Sequence, residues 1–535
     1  MCVTQMGFNY LENDAPPISW DDLDVSFDTE NIIPHQNPAS QPQKEQKPTK
    51  PPAKSQAEIL LGLVEASGIE LFQSDTKDLY AVIPIKNHRE IWSLGSKDFE
   101  NWLNKLFYDT FKKPVNNDAV KQTMSVLSAK AQFDNPEPIK LATRVTEHES
   151  VFWYDLTNPT WQAVKITAGG WGVLDNPPIL FNRYRHQTAQ PTPATSGDIR
   201  KILNHINMKK GQEILFLCWL ASCFVPNIPH PIPIFFGEKG AAKSTTCSFL
   251  KMLIDPSALD TLKLQNDERA LTVNLQQHWF LPFDNVSYIN DETSDTLCRA
   301  ITGSGIQQRK LFTNGEDCIF TFKRCLAING INNVATRPDL LDRSLLIELE
   351  RISETDRREL AEVQADFDAD RPAILGGILD TLVKAMQILP TVKLAKLPRM
   401  ADFTRWGYAI GEALGEGMGQ QFLDEYSANR ESQNTEAINS DPVALLIIDL
   451  MEGIEKWDGK VSELHSVLSD KAQDNGINAK SKSFPQSPNH LSRRLRGIKS
   501  NLEAVGITFE IYKQSSGMNI SLKVSNLSAL PALSA

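Results

Sequence analysis

The sequence predicts an α/β fold whose central part is a parallel sheet covered by helices. Strand-like and helical segments alternate between residues 201 and 352, as a parallel sheet with crossover helices requires. An apolar strand in this region runs through a loop of small residues directly into a helix. A mixed α/β region precedes this part, and three helical segments followed by two strand-like ones come after it.

Composition places the chain among ordinary globular proteins and limits its partners. Of the 535 residues, 41% are hydrophobic and 23% are charged, which leaves room for about three or four domains with a core each. The 55 Lys and Arg against 66 Asp and Glu give a net charge of -11. This balance excludes a wholly basic nucleic-acid coat protein but not a local basic surface.

Several features favour a reducing, cytoplasmic location. The 7 cysteines are odd in number and contain no CxxC pair, which argues against a disulfide framework or a zinc ribbon. The N-terminal segment has neither the basic nor the apolar stretch of a signal peptide. The longest apolar run, Ile214–Val225, is too short for a bilayer and is predicted to be a buried helix. We therefore predict a cytoplasmic protein without a membrane partner.

Shifts in composition divide the chain into five segments. Residues 1–56, first acidic and then rich in Pro, Gln and Lys, are predicted to be a disordered tail, although SWDDLDVSF also fits a partner-docking peptide. Residues 57–200 carry amphipathic helices and short strands and are predicted to be an accessory α/β domain. Residues 201–352 form the α/β core, 353–440 a helical lid and linker, and 441–535 a separate small domain.

The strongest motif is a phosphate-binding loop between an apolar strand and a helix. Small residues let backbone N–H groups face a phosphate, and the helix N-terminus adds positive partial charge. We predict that Lys243 reaches the β- and γ-phosphates of ATP and that the Ser244 hydroxyl ligates Mg²⁺. The motif GxxxxGK[ST] is broken at Ala242, and alanine is expected there only if its φ is negative. The residues predicted to bind the nucleotide are Gly237, Glu238, Lys239, Gly240, Ala241, Ala242, Lys243, Ser244 and Thr245.

Polar residues end two further apolar strands. Asp284 ends the run HWFLPFD and is predicted to hold Mg²⁺ through water, the alternative being a turn residue at a strand end. Asn285 stands where a second acid is usual. It can orient an attacking water but cannot take its proton, so fast, slow and absent hydrolysis all stay open. Asn329 ends the strand CLAIN and is predicted to lie beside the γ-phosphate and hold that water.

Two arginines near the strand LLIELE are candidates for an arginine finger. Either Arg343 or Arg337 could project from one subunit into the nucleotide of the next and stabilise charge on the transferring phosphoryl group. For Arg343 the alternative is an ion pair with Asp342 or Asp339. The sequence does not separate the two arginines.

The order of these motifs resembles the superfamily 3 helicase branch of the AAA+ ATPases. More narrowly, the chain is similar to the phage- and plasmid-type primase-helicase ATPases of prophages and mobile elements. The resemblance covers about residues 57–524 and is most specific over 232–350. The segments that carry it are LCRAITGSGIQQRKLF, LAINGINNVATRPDLLDRSLLIELERI and LPRMADFTRWG.

This resemblance implies a ring, a hexamer by analogy, that moves along single-stranded DNA and unwinds duplex DNA. It implies that Lys243, Ser244, Asp284 and Asn329 act within one subunit, and that the arginine finger acts across the interface. Replication proteins are then candidate partners of the N-terminal tail. We predict no primase activity, because residues 57–200 are short and lack a recognisable acidic metal-binding triad.

By the same analogy, residues 306–324 form a hairpin in the central channel. Asn314-Gly315 is a strong hairpin-turn dipeptide in its own right. Acidic residues follow at the tip and would repel DNA phosphates. The better candidates for phosphate contacts are the basic residues lower on the strands, unless these are ordinary solvated charges: Arg309, Lys310, Lys323 and Arg324.

The C-terminal segment has the layout of a winged helix. Its helices are followed by the strand-like segments ITFEIYK and NISLKV. The third helix lies in a stretch that carries basic residues and no acid, which suits a major groove. We predict that it binds duplex DNA, the alternative being a protein-interaction module with a solvated basic face. The predicted DNA-binding residues are Arg493, Arg494, Arg496 and Lys499.

Two functions are compatible with these motifs. The first is an ATP-dependent DNA helicase or translocase that replicates a phage or mobile element. The second is a nucleotide-switched DNA-binding initiator or loader with weak ATPase activity, which Asn285 favours. A small-molecule kinase would leave the basic C-terminal domain unexplained.

Overall fold

A computed structural model describes residues 54–134, 137–309, 317–320, 323–330, 337–439, 441–475, 477–479, 481, 484–514 and 517–525. The first described part packs three helices against a three-stranded antiparallel sheet in the order β1-β2-β3. Its elements are α1 (Gln56–Ala66), β1 (Glu70–Gln73), β2 (Leu79–Ile85), β3 (His88–Ser93), α2 (Lys97–Phe111) and α3 (Asn117–Phe133). Ser55 and Glu58 form a capping box that starts α1. This part has its own hydrophobic core, as the predicted accessory domain requires.

A four-stranded antiparallel meander follows. Its strands are β4 (Val145–His148), β5 (Val151–Asp155), β6 (Ala163–Thr167) and β7 (Gly170–Leu174), and they pair in chain order. A 3-10 helix at Ile199–Asn204 and helix α4 (Glu213–Ser222) come next. Every residue of α4 from Ile214 to Ser222 is buried, which confirms the predicted buried helix.

The central sheet has four parallel strands in the order β13-β8-β12-β9. Its strands and helices are β8 (Ile232–Phe236), α5 (Lys243–Ile254), α6 (Glu268–Gln277), β9 (Phe280–Phe283), α7 (Asp291–Thr302), β12 (Cys325–Asn329), α8 (Pro338–Leu341) and β13 (Ser344–Glu348), with the β10 (Ile306–Arg309) and β11 (Asp317–Phe320) pair inserted after α7. Strand β12 lies between β8 and β9, and its residue Ile328 is opposite both Ile234 and Phe283. The carboxyl ends of these three strands therefore meet at one edge of the sheet.

Three long helices complete the central part: α9 (Leu360–Ile388), α10 (Ala401–Leu414) and α11 (Met418–Asn439). Their buried apolar residues belong to the same hydrophobic cluster as those of the central sheet, and this cluster includes residues from Val145 to Ala437. It therefore contains residues on both sides of the boundaries predicted at 200 and 353. Tyr154 of β5 shows the reason: its ring lies 5.0 Å from that of Phe224 and its hydroxyl donates to Ile254 O.

Helix α9 carries a glycine groove that holds the chain upstream of the central part. A Cβ on Gly376 would collide with the Ala194 carbonyl, and one on Gly377 with the backbone at Ile199. Ala194 N donates to Pro372 O over 2.9 Å at the same place. By length and composition, residues 360–391 could cross a membrane, but 50% of the most apolar window is buried, as in a core helix.

The C-terminal part has a core of its own. It contains α12 (Pro442–Met451), β14 (Lys456–Lys460), α13 (Val461–Asp474), α14 (Pro488–Gly497), α15 (Lys499–Ala504), β15 (Ile507–Gln514) and β16 (Gly517–Val524). The sheet is antiparallel in the order β14-β16-β15. Two details differ from expectation. The first helix ends at Met451, since Gly453 adopts a φ of 74° and the chain then forms the extra strand β14. The third predicted helix is divided at Ile498 into α14 and α15.

Candidate functional site

The predicted phosphate loop joins β8 to α5 as expected. Two glycines are needed for its path, because Gly237 has a φ of 144° and Gly240 a φ of 89°. A Cβ on Gly237 would in addition collide with the Leu349 carbonyl. The loop can therefore turn closely between the end of β8 and the start of α5.

Ala242 is the exception within the loop. Its φ of 56° and ψ of 31° are left-handed, so the expectation of a negative φ at this position is wrong. The junction needs a left-handed residue whether or not glycine occupies it, and alanine in that conformation costs about 1 kcal/mol or more. The conformation directs the Ala242 carbonyl into α5, where it accepts from the Thr246 amide (2.9 Å) and hydroxyl (3.1 Å).

The side chains of Lys243 and Ser244 extend towards the two sides of the site. The Lys243 ammonium donates to Gly237 O (2.8 Å) and Glu238 O (3.0 Å), so it lies within the curl of the loop. The Ser244 hydroxyl donates to Asp284 Oδ1 over 2.9 Å. A lysine and a hydroxyl–carboxylate pair thus flank the loop from opposite sides.

Asp284 and Asn329 meet at the carboxyl edge of the sheet. Asn329 is 2% exposed, and its side-chain amide donates to Asp284 Oδ1. Its Oδ1 accepts from the Asn285 backbone N–H over 2.8 Å. Asn285 itself is exposed and has a φ of 51°. The predicted set Ser244, Asp284 and Asn329 is therefore brought together by hydrogen bonds, with Asn285 beside it.

The donor set suits a hard cation that is shared with phosphates. A hydroxyl and one carboxylate are ligands that Mg²⁺ accepts when phosphate oxygens and water complete its octahedron. Over the part of the chain that the structure describes, no group of three or more His, Cys, Asp or Glu side chains is arranged to hold a metal. The residues present therefore fit Mg²⁺ bound together with a nucleotide, and not an all-protein metal cage.

Both candidate finger arginines have partners within the chain. Arg343 is 13% exposed and pairs with Asp339, which is the alternative that the sequence left open. Asp339 also accepts from Arg399 over 2.9 Å. Arg337 donates to Asp295 Oδ1 (2.8 Å) and to Asp291 O (2.7 Å).

Of the four basic residues predicted to contact DNA near the hairpin, the structure describes three: Arg309, Lys323 and Arg324. Strands β10 and β11 pair antiparallel with Arg309 opposite Asp317, as a hairpin requires. Lys310 and the predicted Asn314-Gly315 tip lie outside the described residues. Lys323 donates to Asn227 O.

Arg324 is held by contacts within the chain. Its Nε donates to Leu275 O over 2.7 Å, and its guanidinium lies 5.8 Å from the centre of the Trp279 ring. Burial lowers the pKa of Arg324 to about 10.

On the C-terminal part, Arg493, Arg494 and Arg496 of α14 are exposed. Arg494 also pairs with Asp441, a carboxylate that is 4% exposed and caps α12. This contact gives Arg494 a role in holding α14 to α12, which the charge pattern did not reveal. Lys499 lies 3.7 Å from Glu503 in an exposed pair.

Sequence reasoning missed a buried ionic cluster at the far end of α5. Arg144 and Lys251 both pair with Asp255, and all three side chains are 0% exposed. Asp255 also accepts from the Trp279 backbone N–H at 2.9 Å. Although burial alone would raise the pKa of the Asp255 carboxyl, the two cations hold it well below its usual range. The cluster fixes the phosphate-loop helix to the upstream chain and to the start of β9. The one signal in the sequence that could have indicated this cluster is the presence of charged residues within apolar segments.

Sequence reasoning also missed two arginines beside the phosphate loop. Arg357 Nη2 lies 3.2 Å from the position that a Cβ on Gly240 would occupy. Arg351 Nη1 lies 3.8 Å from the Glu238 carboxylate. The repeated arginines in ERISETDRR, directly after the last strand of the sheet, are the signal that could have found them.

Two family models match consecutive parts of the chain. Residues 199–434 match the model described as actinomycete integrative conjugative element replication protein. Residues 443–530 match the model of the C-terminal domain of the same protein, AICE RepA. The two matches show similarity to this family of mobile-element replication proteins over both parts of the chain. The first match contains the phosphate loop, Asp284 and Asn329, and the second contains the basic helix α14.

Comparison with solved structures finds the NrS-1 C-terminal region at low similarity. One apo structure aligns with a TM-score of 0.36 and 12% identity, and the alignment covers 87% of this chain and 98% of the NrS-1 chain. A second has a TM-score of 0.36 and 11% identity, and covers 88% of this chain and 100% of that chain. A search of curated proteins found no significant match.

Proposed function

We propose that this replication protein is an ATP-dependent DNA helicase or translocase that works as an oligomeric ring. The observation that carries the proposal is the convergence of Ser244, Asp284 and Asn329 behind a glycine-containing loop with Lys243 in its curl. A phosphate loop, a metal-holding pair and a buried amide at the ends of adjacent parallel strands are what a nucleoside triphosphatase needs.

Each residue has a role in the proposed reaction. Lys243 would leave the carbonyls of Gly237 and Glu238 for the β- and γ-phosphate oxygens of ATP. Ser244 and Asp284 would hold Mg²⁺, which neutralises phosphate charge when it is bound. Asn329 would keep the Asp284 carboxylate oriented and position the attacking water, since its amide already bonds that carboxylate.

Coupling between subunits would use one of the two arginines. To reach a neighbouring nucleotide, Arg343 must exchange Asp339 for a phosphate. The exchange leaves Asp339 neutralised, because Arg399 stays within 2.9 Å of it. Arg337 would have to leave Asp295 in the same way.

We also propose that the C-terminal part is a winged helix and that it binds duplex DNA. Its four helices and three-stranded antiparallel sheet support this assignment, as does the exposed position of Arg493 and Arg496 on α14. Neutralising both arginines should weaken duplex binding and lower its salt slope by about 2. The control is Arg494→Met, which removes one positive charge from the same helix. Because Arg494 pairs with Asp441, this substitution should lower the stability of the C-terminal part.

The decisive experiment compares Lys243→Ala with Lys209→Ala in the full chain. Lys209 lies outside the loop and forms an exposed pair with Glu348, so its loss should leave activity unchanged. Lys243→Ala should abolish ATP hydrolysis stimulated by single-stranded DNA and, with it, strand displacement. Retained ATPase activity in Lys243→Ala would overturn the site assignment.

A nucleotide-switched initiator or loader is the second candidate. The observation in its favour is Asn285, whose neutral side chain follows Asp284 where a base would stand. This function predicts ATP-dependent DNA binding with little turnover and no strand displacement. Turnover that rises with single-stranded DNA, together with displacement of a strand, supports the helicase instead.

A further inference from the structure

We propose that Arg357 binds the outermost phosphate of the nucleotide in its own subunit, and that Arg351 is a positioning residue that keeps Glu238 from repelling that phosphate. The inference rests on the proposed nucleotide site. It adds to that site two residues from the segment between β13 and α9.

This segment, residues 349–357, lies directly against the phosphate loop, and we call it the strap. Leu349 N donates to Phe236 O over 2.9 Å, at the end of the strand that leads into the loop. Ile352 N donates to Gly240 O over 3.2 Å, within the loop. The strap therefore has a fixed position relative to the end of β8 and to Gly240 within the loop.

Arg357 stands over the turn of the loop at Gly240. Its Nη2 lies 3.2 Å from the position of a Cβ on that glycine. Among the residues that the structure describes, no carboxylate lies within ion-pair distance of Arg357, whereas its neighbour Arg358 pairs with Asp366 over 2.7 Å. A guanidinium without a carboxylate beside a phosphate loop is placed to serve a phosphate, whose oxygens accept from its forked donors.

The position of Gly240 indicates which phosphate Arg357 meets. Ser244 and the first turn of α5 would hold the phosphates nearest the helix. Gly240 lies in the part of the loop before that helix, so a cation above it would face the outer end of the chain of phosphates. We therefore assign Arg357 to the γ-phosphate, which ADP lacks.

Glu238 explains the need for the second arginine. A carboxylate within a phosphate loop is unfavourable to a polyanion unless a cation offsets it. Arg351 Nη1 lies 3.8 Å from Glu238 Oε2, and the two side chains are 55% and 76% exposed. Arg351 thus acts through Glu238 and is not assigned a contact with the nucleotide.

The first test measures equilibrium binding to the full chain with a β,γ-imido ATP analogue and with ADP. Arg357→Gln should lose about 10- to 100-fold in affinity for the triphosphate, the range expected when a hydrogen bond to a charged group is lost. Its affinity for ADP should change by no more than about twofold, and Arg358→Gln should leave both unchanged. Equal losses for the two nucleotides, or no loss, would overturn the assignment to the γ-phosphate.

The second test separates action within a subunit from action across an interface. Arg357→Gln and Lys243→Ala would damage the same site of their own subunits, so mixing the two variants should restore no ATPase activity above the separate proteins. Recovery on mixing would show that Arg357 serves the neighbouring subunit and would overturn the proposal.

The third test addresses Arg351 through its partner. Arg351→Gln should weaken triphosphate binding, and Glu238→Gln in the same chain should restore it, because the repelling charge is then gone. A double variant as weak as Arg351→Gln alone would refute the positioning role. The proposed function itself fails if Lys243→Ala leaves nucleotide binding intact. The inference about Arg357 fails alone if Lys243→Ala removes nucleotide binding but Arg357→Gln has no effect on triphosphate binding.

Discussion

Replacing Arg144 with methionine should loosen the end of the phosphate-loop helix. The Arg144 guanidinium donates to Asp255 Oδ1 (2.9 Å), Thr157 Oγ1 (2.6 Å) and Pro256 O (3.0 Å), with both charges of the ion pair fully buried. Methionine fills a similar volume but supplies none of these hydrogen bonds. The substitution leaves the carboxylate with the Lys251 cation as its remaining charged partner.

The magnitude follows from what remains. Breaking a buried ion pair by removing one partner costs about 3–5 kcal/mol. Because Lys251 and the backbone N–H groups of Trp279 and Phe280 still bond Asp255, we expect the lower end of that range, about 3 kcal/mol. This corresponds to a loss of about 100-fold in the protection of local amides from hydrogen exchange.

The assay is hydrogen exchange at the end of α5, since the chain has several cores and a single unfolding free energy would mix them. The matched control is Arg185→Met, which removes an arginine that is 83% exposed and pairs with Asp98 over 2.9 Å. The control should change stability by less than about 1 kcal/mol. Protection around Asp255 that is the same in Arg144→Met and in the control would refute the reasoning.

Three further outcomes are expected. Ala242→Gly should raise the melting temperature of the nucleotide-free protein, since it relieves a left-handed alanine worth about 1 kcal/mol; a lower melting temperature would contradict the backbone conformation. Burial, with Lys251 adding to it, lowers the pKa of His278 from its usual value of 6.5 to about 3. The unfolded chain then binds the extra proton first, so stability should fall as pH drops from about 6.5 towards 3, by up to about 1.4 kcal/mol per unit, and His278→Gln should flatten that slope in denaturation measured at several pH values. Arg343→Ala should keep ATP binding but lose about a thousandfold or more in ATPase rate, and mixing with Lys243→Ala subunits should restore part of it; no recovery would assign the finger to the other arginine.

The sequence predicted the elements that depend on local pattern. The strand–loop–helix at residues 232–254 and the polar ends of β9 and β12 follow from apolar runs that stop at a polar residue. Because parallel strands end at the same edge, the two polar strand ends, Asp284 and Asn329, could both be assigned to one nucleotide site. Their direct hydrogen bond agrees with that reasoning.

Features set by distant contacts were not predictable in the same way. The sequence around Arg324 does not indicate its contacts with Leu275 and Trp279, which lie far from it along the chain. In the same way, the sequence around Arg494 does not indicate its ion pair with Asp441. The short polar strand β14 gains its pairing from β16, which lies about sixty residues further along the chain and therefore leaves no local periodicity. The left-handed Ala242 is set by the geometry of the loop–helix junction and not by its own preference.

The glycine groove of α9 has a consequence for how this gene could be cut or recombined. Residues 194–199 run along Gly376 and Gly377 without room for a side chain between them. A fragment that begins at residue 199, where the first family match starts, would leave this groove and the apolar surface under Tyr154 open to solvent. We expect such a fragment to aggregate. A hybrid protein joined at residue 199 should fold only if its new upstream segment also packs against Gly376 and Gly377.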